Sequence, residues 1–147
     1  MRALNALVLC VVAITALVAA NAAESQISSE SEMLEVCSAY SQAGMRDCLA
    51  DKADDSQQVL RAAEQAAADA LARWDEDRKY QDEAAKKLSA SNQEFARYRT
   101  AQCAFLTALI GGGAGNSREI GRLRCVAALN YQRAAQLRDA VAELPVK

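Results

Sequence analysis

The sequence contains no histidine among its 147 residues, which excludes several kinds of site before any residue is placed. Without an imidazole, the chain can build neither a Ser-His-Asp or Cys-His nucleophile system nor a His-ligated zinc site. Residues that favour strands are also scarce, because residues 23–147 contain ten Val, Ile and Thr together against 26 Ala. This ratio favours helix over sheet and predicts a single all-α domain of ordinary size. No enzymatic activity is expected, because an alanine-lined bundle has little room for the pocket that acid–base catalysis by paired carboxylates needs.

The sequence also lacks a basic excess and a long apolar span. Its 17 Lys and Arg stand against 19 Asp and Glu, which argues against a nucleic-acid partner. The apolar, Thr-containing run from Ala6 to Val18 has thirteen residues. A transmembrane helix needs about 20, so no stable membrane anchor is expected.

The first 22 residues have the pattern of a secretory signal peptide. Arg2 supplies the positive start, the apolar run follows, and residues 20–22 read Ala-Asn-Ala, a typical cleavage site. Cys10 lies within the apolar run and lacks the small residues that precede a lipid-attached cysteine. Cleavage after Ala22 leaves 16 basic and 19 acidic side chains, a net charge of −3. An exported protein, periplasmic or secreted, is therefore predicted.

Three stretches of the mature chain repeat apolar or small side chains about every 3.5 residues, and each predicts a helix with one buried face. They cover residues 45–74, 84–109 and 120–144. The second stretch places these residues on its buried face: Ala84, Leu88, Ser91, Phe95, Tyr98, Gln102, Phe105 and Leu109. We expect an antiparallel three-helix bundle over residues 37–145, preceded by a loose N-terminal arm at residues 23–36 with at most one helical turn.

Two turns separate these helices. The glycine-rich run at residues 111–115 is the clearest loop, and Ser117 can act as N-cap of the third helix, so the second and third helices form an antiparallel hairpin. A phosphate-loop interpretation lacks both a preceding strand and a following G-K-[ST]. Residues 74–81 hold neither Gly nor Pro. A turn is still expected there, because one helix from Met45 to Leu109 would be about 100 Å long; that single helix remains the alternative.

Four cysteines remain once the signal peptide is removed: Cys37, Cys48, Cys103 and Cys125. An even number in an oxidising compartment is typical of two disulfides. A four-thiolate zinc site would show paired C-x-x-C spacing, which is absent, so neither a metal nor a cofactor is expected. Alanine-rich helix contacts bury little area, and a domain of this kind gains from covalent links.

The cysteine spacing favours two local bridges. Cys103 and Cys125 are equally distant from the middle of the glycine run, which places them at the same height on the hairpin. Eleven residues of straight helix would hold Cys37 and Cys48 about 16 Å apart, too far for a disulfide. The chain should therefore turn near Ser41, which can also cap the first helix. All four thiols are expected at one end of the bundle, so crossed pairings remain open.

Two segments on either side of the glycine run have a recognisable order of residues. Phe95, Tyr98, Arg99 and Cys103 follow a pattern similar to W-x-x-[YF]-R-x-x-x-C, and Cys125, Leu129, Arg133 and Leu137 one similar to C-x-x-x-L-T-x-x-R-x-x-x-L. The match also includes Gln42, Met45, Cys48, Leu60 and Ser91. From Cys37 to Leu137, this pattern resembles the LprI-type lysozyme inhibitors, a family of small exported bacterial proteins.

The sequence departs from the family pattern at several positions. Phe95 stands where Trp is usual, and Asn130 where Thr is usual. On the first helix, Gln57 and Arg61 replace the typical Asp and Asn. These two changes weaken the expectation of a polar site on that helix.

The resemblance implies a helical envelope domain that inhibits lysozyme by non-covalent binding. The acidic mature chain suits lysozyme or another cationic envelope protein as its partner. A structural or adaptor protein of the envelope, with no enzyme target, is the alternative, because helix periodicity and cysteines account for nearly every residue. A small-ligand carrier is disfavoured by the narrow core.

Two groups of residues are candidates for a binding surface. The first comprises Gly111, Gly112, Gly113 and Asn116, which project without a helix behind them. The second comprises Phe95, Tyr98, Arg99 and Arg133. Hairpin pairing predicts that Phe95 faces Arg133, whose guanidinium can lie over the ring or bind a nearby carboxylate. The second group is therefore interpreted first as a lock between helices and second as a recognition surface.

We predict that the mature protein begins near Ala23 and contains no free thiol, because export exposes all four remaining cysteines to oxidation. Intact-mass measurement and peptide mapping test this, and mapping should join Cys37 to Cys48 and Cys103 to Cys125. A mass heavier by the hydrogens of one or both reduced bridges would contradict it.

Overall fold

The computed structural model describes residues 30–113 and 115–147, so the predicted signal peptide and residues 23–29 of the arm lie outside the described residues. The described residues form four α-helices: α1 (Glu30–Cys37), α2 (Gln42–Arg73), α3 (Arg78–Ala108) and α4 (Ser117–Val141). The predicted all-α class and the two predicted disulfides are confirmed. The Cα atoms are 5.7 Å apart in Cys37–Cys48 and 5.6 Å apart in Cys103–Cys125.

The short helix α1 is longer than predicted: at most one helical turn was expected in the arm, whereas residues 30–36 are all helical. Met33 and Cys37 lie four residues apart and therefore share one face of α1. Both are fully buried, in a cluster with Leu49 of α2 and Leu123 of α4. One methionine and one disulfide thus hold α1 against the end of the bundle.

The start of α2 follows the prediction. The Ser41 side chain accepts a hydrogen bond from the Gly44 N–H at 3.3 Å, as an N-cap does. The bend between α1 and α2 brings Cys37 back to Cys48, which a single straight helix would prevent.

The turn between α2 and α3 falls at residues 74–77, inside the predicted stretch, so the alternative of a single long helix is wrong. Buried Gln81 fastens this turn, since its amide nitrogen donates to the carbonyl oxygens of Trp74 at 2.7 Å and Glu76 at 3.3 Å. The chain after α4 closes over the same turn, where the Asp75 N–H donates to the Pro145 carbonyl at 2.7 Å.

The core lies mainly between α2 and α4 and consists of two apolar clusters. The first comprises Met33, Cys37, Leu49, Ala53, Leu123 and Ala127; the second comprises Leu60, Ala63, Ala67, Ala134 and Leu137. Early residues of α2 meet early residues of α4 and late meet late, so these two helices run parallel. The repeats of the first and third stretches predict buried faces that include Leu49 and Leu60 of α2 and Leu123 and Leu137 of α4. All four residues are buried, so these predictions are confirmed.

The buried face predicted for α3 is wrong in its second half. Tyr98, Phe105 and Leu109 are exposed, whereas Cys103 is buried and Phe95 half-buried. The Cys103–Cys125 disulfide fixes the rotation of α3 about its own axis. Phe95, Arg99 and Cys103, which are four residues apart, therefore face α4. Because neighbouring helix residues point about 100° apart, Tyr98 then points outward.

The loop between α3 and α4 needs glycine at two positions: Gly111 and Gly115 have φ angles of 67° and 63°. The helix that follows is capped differently from the prediction, because Asn116 is the N-cap and Ser117 is the first residue of α4. The Ile120 N–H donates to the Asn116 carbonyl at 2.8 Å, which places Asn116 one position before the helix.

Candidate functional site

A polar layer lies between the two apolar clusters. Asn130 and Ser56 are both fully buried, and the Asn130 amide nitrogen donates to the Ser56 hydroxyl oxygen at 3.0 Å. The Ser56 hydroxyl in turn donates to the Ala53 carbonyl at 2.7 Å. This layer joins α2 to α4 where alanines alone would allow the two helices to slide.

Arg99 extends the polar layer to α3. Its Nη1 donates to the Asn130 side-chain oxygen at 2.5 Å and to the Gln57 side-chain oxygen at 2.9 Å. One guanidinium therefore binds all three long helices. Gln57, which stands where the family pattern has Asp, still supplies an acceptor to this arginine.

The ring of Phe95 lies between two guanidinium groups. The Cζ atoms of Arg99 and Arg133 are 5.8 and 5.7 Å from its centroid, within the range of cation–π attraction. Arg133 Nη2 also donates to the Ser91 hydroxyl at 2.8 Å and the Asn92 side-chain oxygen at 3.1 Å. The predicted pairing of Phe95 with Arg133 is present, and the contacts of this arginine are a ring and two neutral acceptors.

Tyr98 does not belong to this cluster. Its side chain is 53% exposed and points away from α4, although the sequence analysis grouped it with Phe95, Arg99 and Arg133. The structure brings those three together and leaves Tyr98 apart.

A groove of about 500 Å³ runs between α2 and α3, and the sequence analysis did not anticipate it. Leu60, Leu88 and Phe95 line it with apolar surface, and Gln57, Glu64 and Asn92 add polar groups. Small residues on this side of α3, such as Ala85 and Ser89, leave the space towards α2 unfilled. That run of small side chains is the only sequence signal that predicts the groove.

The glycine loop forms a second, separate exposed region. Gly111, Gly112 and Gly113 are exposed, and a side chain added at Gly111 or Gly112 would meet open space. The Arg118 side chain donates to the Gly111 carbonyl at 3.1 Å, and Asn116 is half-buried. About 20 Å of helix separates Phe95 from the end of α3, so the two predicted groups do not form one site.

Acidic charge is concentrated in α1 and the first half of α2. Residues 30–55 carry seven acidic and two basic side chains, a net charge of −5, whereas residues 56–147 carry eleven acidic and fourteen basic, a net charge of +3. Asp51, Asp54 and Asp55 are exposed on α2. A Cβ at Gly115 would lie 3.5 Å from the Gln42 side-chain oxygen, so the loop adjoins the start of α2.

Two ionisable groups of α4 have pKa values shifted by their neighbours. A hydrogen bond from Arg122 holds the pKa of Glu119 below its ordinary value, and the charge of Arg46 on α2 lowers it further. Burial, followed by the negative charge of Asp55, raises the pKa of Tyr131. Glu119 therefore stays ionised, and its charge is balanced by the ion pair with Arg122 at 2.6 Å.

Within residues 30–113 and 115–147, no group of three or more His, Cys, Asp or Glu side chains is placed to hold a metal ion. None of the described helices combines the length and the apolar character needed to cross a membrane.

These features define a disulfide-bonded, all-α domain in which one buried polar layer joins three long helices. The chain belongs to the family described as Lysozyme inhibitor LprI, whose model matches residues 36–137. Comparisons with curated proteins and with solved structures gave no match.

We predict that Asn130→Ala lowers the free energy of unfolding by about 2–3 kcal/mol, because it removes buried hydrogen bonds to Arg99 and Ser56. Urea unfolding of the oxidised protein measures this. Gln132→Ala, at an exposed position on the same helix, is the control and should change stability by less than about 0.5 kcal/mol. Equal stability of the two variants would show that the polar layer contributes little.

Proposed function

We propose that this protein inhibits lysozyme, or another cationic glycan hydrolase, by non-covalent binding outside the cytoplasm. Membership of the LprI family over residues 36–137 is the observation that carries the proposal. Two disulfides support export, because such bonds persist in oxidising compartments. The predicted signal peptide agrees with this location.

The binding surface that we propose is the end of the bundle formed by the glycine loop and the acidic residues of α1 and early α2. A net charge of −5 over residues 30–55 attracts a cationic enzyme and speeds encounter. The exposed loop at residues 111–113 is narrow enough to enter a substrate cleft, because glycine has no side chain. This charge lies on α1 and the first half of α2, and the loop adjoins the start of α2.

The cluster of Phe95, Arg99 and Arg133 serves stability in this proposal. Both guanidinium groups contact the Phe95 ring and donate hydrogen bonds to neighbouring helices. Using them to bind a partner would first break these internal contacts. Binding energy is therefore better supplied by groups that are already exposed.

Neutralising acidic residues in the first half of α2 should weaken inhibition. We expect Asp51→Asn with Asp54→Asn to raise the concentration needed for half-inhibition in a lysozyme turbidity assay, and to reduce its dependence on salt. Asp139→Asn with Glu143→Gln removes the same charge from the other end of the bundle and should have little effect. Equal effects of both pairs would indicate that net charge matters but the proposed surface does not.

Shortening the loop should separate binding from folding. Deleting two of Gly111, Gly112 and Gly113 is expected to abolish inhibition while circular dichroism and both disulfides remain unchanged. Arg133→Ala is expected to lower the melting temperature and to keep inhibition well below that temperature, because Arg133 packs on Phe95.

The reverse result would place the binding site on the face of α3 and α4. It would consist of full inhibition by the shortened loop together with its loss in a folded Arg133→Ala protein. Absence of inhibition by the unaltered mature protein, even in excess over lysozyme, would favour the alternative of an envelope adaptor.

A further inference from the structure

The groove between α2 and α3 has the size and shape of a site for an elongated ligand. Its α2 wall extends from Gln57 to Ala68 and its α3 wall from Ala85 to Arg99, which are about 16 and 21 Å of helix. Its volume of about 500 Å³ lies within the range of about 300–1,000 Å³ that is typical of small-molecule sites. A linear ligand fits this shape better than a compact one.

The hydrogen bond from Arg99 to Gln57 shows which residues face each other across the groove. The short turn at residues 74–77 makes α2 and α3 run in opposite directions. Seven residues along α2 from Gln57 is Glu64, and seven residues back along α3 from Arg99 is Asn92. Glu64 and Asn92 therefore line opposite walls at the same height. Within residues 30–113 and 115–147, no hydrogen bond joins their side chains, so the groove is open between them.

Internal hydrogen bonds occupy the oxygens of two amide side chains in the groove and leave their nitrogens available. The Asn92 side-chain oxygen accepts from Arg133 at 3.1 Å, and the Gln57 side-chain oxygen accepts from Arg99 at 2.9 Å. Because an arginine holds each oxygen, the NH2 group of each amide points away from that arginine. In the part of the chain that the structure describes, neither nitrogen donates a hydrogen bond. The groove thus offers two donors.

Glu64 supplies an acceptor beside the apolar part of the groove. Its side chain is half-buried, and among the described residues it has neither an ion-pair nor a hydrogen-bond partner. Leu60 lies one helical turn away on the same wall, and Leu88 lies on the wall opposite. A carboxylate that has lost part of its hydration is stabilised when a ligand donates a hydrogen bond to it.

A hydroxyl is the ligand group that suits Asn92 and Glu64 together. It accepts one hydrogen bond and donates another through the same oxygen, so it can accept from the Asn92 amide and donate to the Glu64 carboxylate. Ser89, three residues from Asn92, adds a further hydroxyl to the same wall. Leu60 and Leu88 provide apolar surface for the C–H groups of a ring. A ligand that carries hydroxyls around a ring with apolar faces is a sugar.

The charges in the groove favour a neutral sugar. The charged side chains that line the groove are Glu64 and Arg99, and their charges cancel. The Arg99 guanidinium is already bonded to Asn130 and Gln57, so it is not available to an anionic group. A carboxylated or sulfated sugar would instead be repelled by Glu64.

The same inventory argues for binding without cleavage. Hydrolysis of a glycosidic bond ordinarily takes two carboxyl groups. Among the described residues, Glu64 is the one carboxylate that lines the groove. A bound glycan would therefore stay intact.

We propose that the groove between α2 and α3 binds a neutral oligosaccharide, with one sugar hydroxyl held between Asn92 and Glu64. The site lies beside the narrow core and binds the sugar chain without enclosing it. The proposal does not rest on lysozyme inhibition, because the groove and the glycine loop are different surfaces. A protein that bound glycan here would keep its loop end exposed.

NMR titration of the isotope-labelled, oxidised mature protein with two neutral probes, N-acetylglucosamine trisaccharide and maltotriose, tests the proposal. At least one probe should shift the amide signals of groove residues, with a dissociation constant of about 1 mM or lower. Glu64→Ala should raise that constant about tenfold or more, because a hydrogen bond to a charged group is lost. Glu83→Ala removes the same charge from an exposed position of α3 outside the groove and should leave the constant unchanged.

Asn92→Asp is a second test that preserves the internal contacts. Aspartate keeps an oxygen for Arg133 and replaces the donating NH2 group by a second oxygen, so sugar binding should weaken about tenfold while the protein stays folded. Circular dichroism and urea unfolding check the fold of each variant.

Four results would each overturn the proposal. These are no shifts with either probe, shifts confined to residues outside the groove, unchanged binding in Glu64→Ala and Asn92→Asp, and equal loss of binding in Glu83→Ala. Tighter binding of a sulfated or carboxylated sugar would also overturn it, because the site would then select charge. The titration contains no lysozyme, so its outcome is independent of whether the protein inhibits that enzyme.

Discussion

The buried contact among Asn130, Ser56 and Arg99 is the constraint on which the rest of the bundle depends. Alanine-lined helix faces pack equally well in several registers, so apolar contact alone does not fix how α2 and α4 align. A buried amide without its partner costs more free energy than a shifted alanine. The Asn130 hydrogen bonds therefore select one register, as a single buried asparagine does in a coiled coil.

The same contact sets the rotation of α3, and the surface of the protein follows from that rotation. Arg99 must face Asn130, and Cys103, four residues later, must face Cys125. Because Arg99 and Cys103 face α4, one side of α3 borders the groove towards α2. The other side exposes Tyr98 and Phe105 to solvent. The groove and the exposure of Tyr98 and Phe105 are thus consequences of one internal alignment.

Periodicity alone predicted the faces of α2 and α4 correctly, because Leu49, Leu60 and Leu123 bury the faces that their spacing indicates. Periodicity predicted the wrong face for the second half of α3. Phe95 and Phe105 fit the same repeat, but only Phe95 faces the core. Only contacts with Asn130 and Cys125 decide between them, and no local pattern contains such contacts.

Helix α1, the acidic residues 30–55 and the cysteine pairing could be predicted from the sequence to different extents. The full length of helix α1 was not predicted, because its burial depends on only two residues, Met33 and Cys37. The acidity of residues 30–55 is readable from the sequence, yet only the fold places the start of α2 beside the glycine loop. The cysteine pairing needed no fold beyond two turns, which is why spacing was enough to favour it.

The parallel alignment of α2 and α4 also affects how the chain reaches its native state. Ser56 and Asn130, which meet in the core, are 74 residues apart, whereas Cys103 and Cys125 are separated by 22. Closing the longer loop costs about 1 kcal/mol more in chain entropy. The main core contact is therefore a long-range one, which forms more slowly than contacts between neighbouring helices. Helix α3 leads the chain from the end of α2 to the start of α4. The hairpin of α3 and α4 is the part that can assemble without α2.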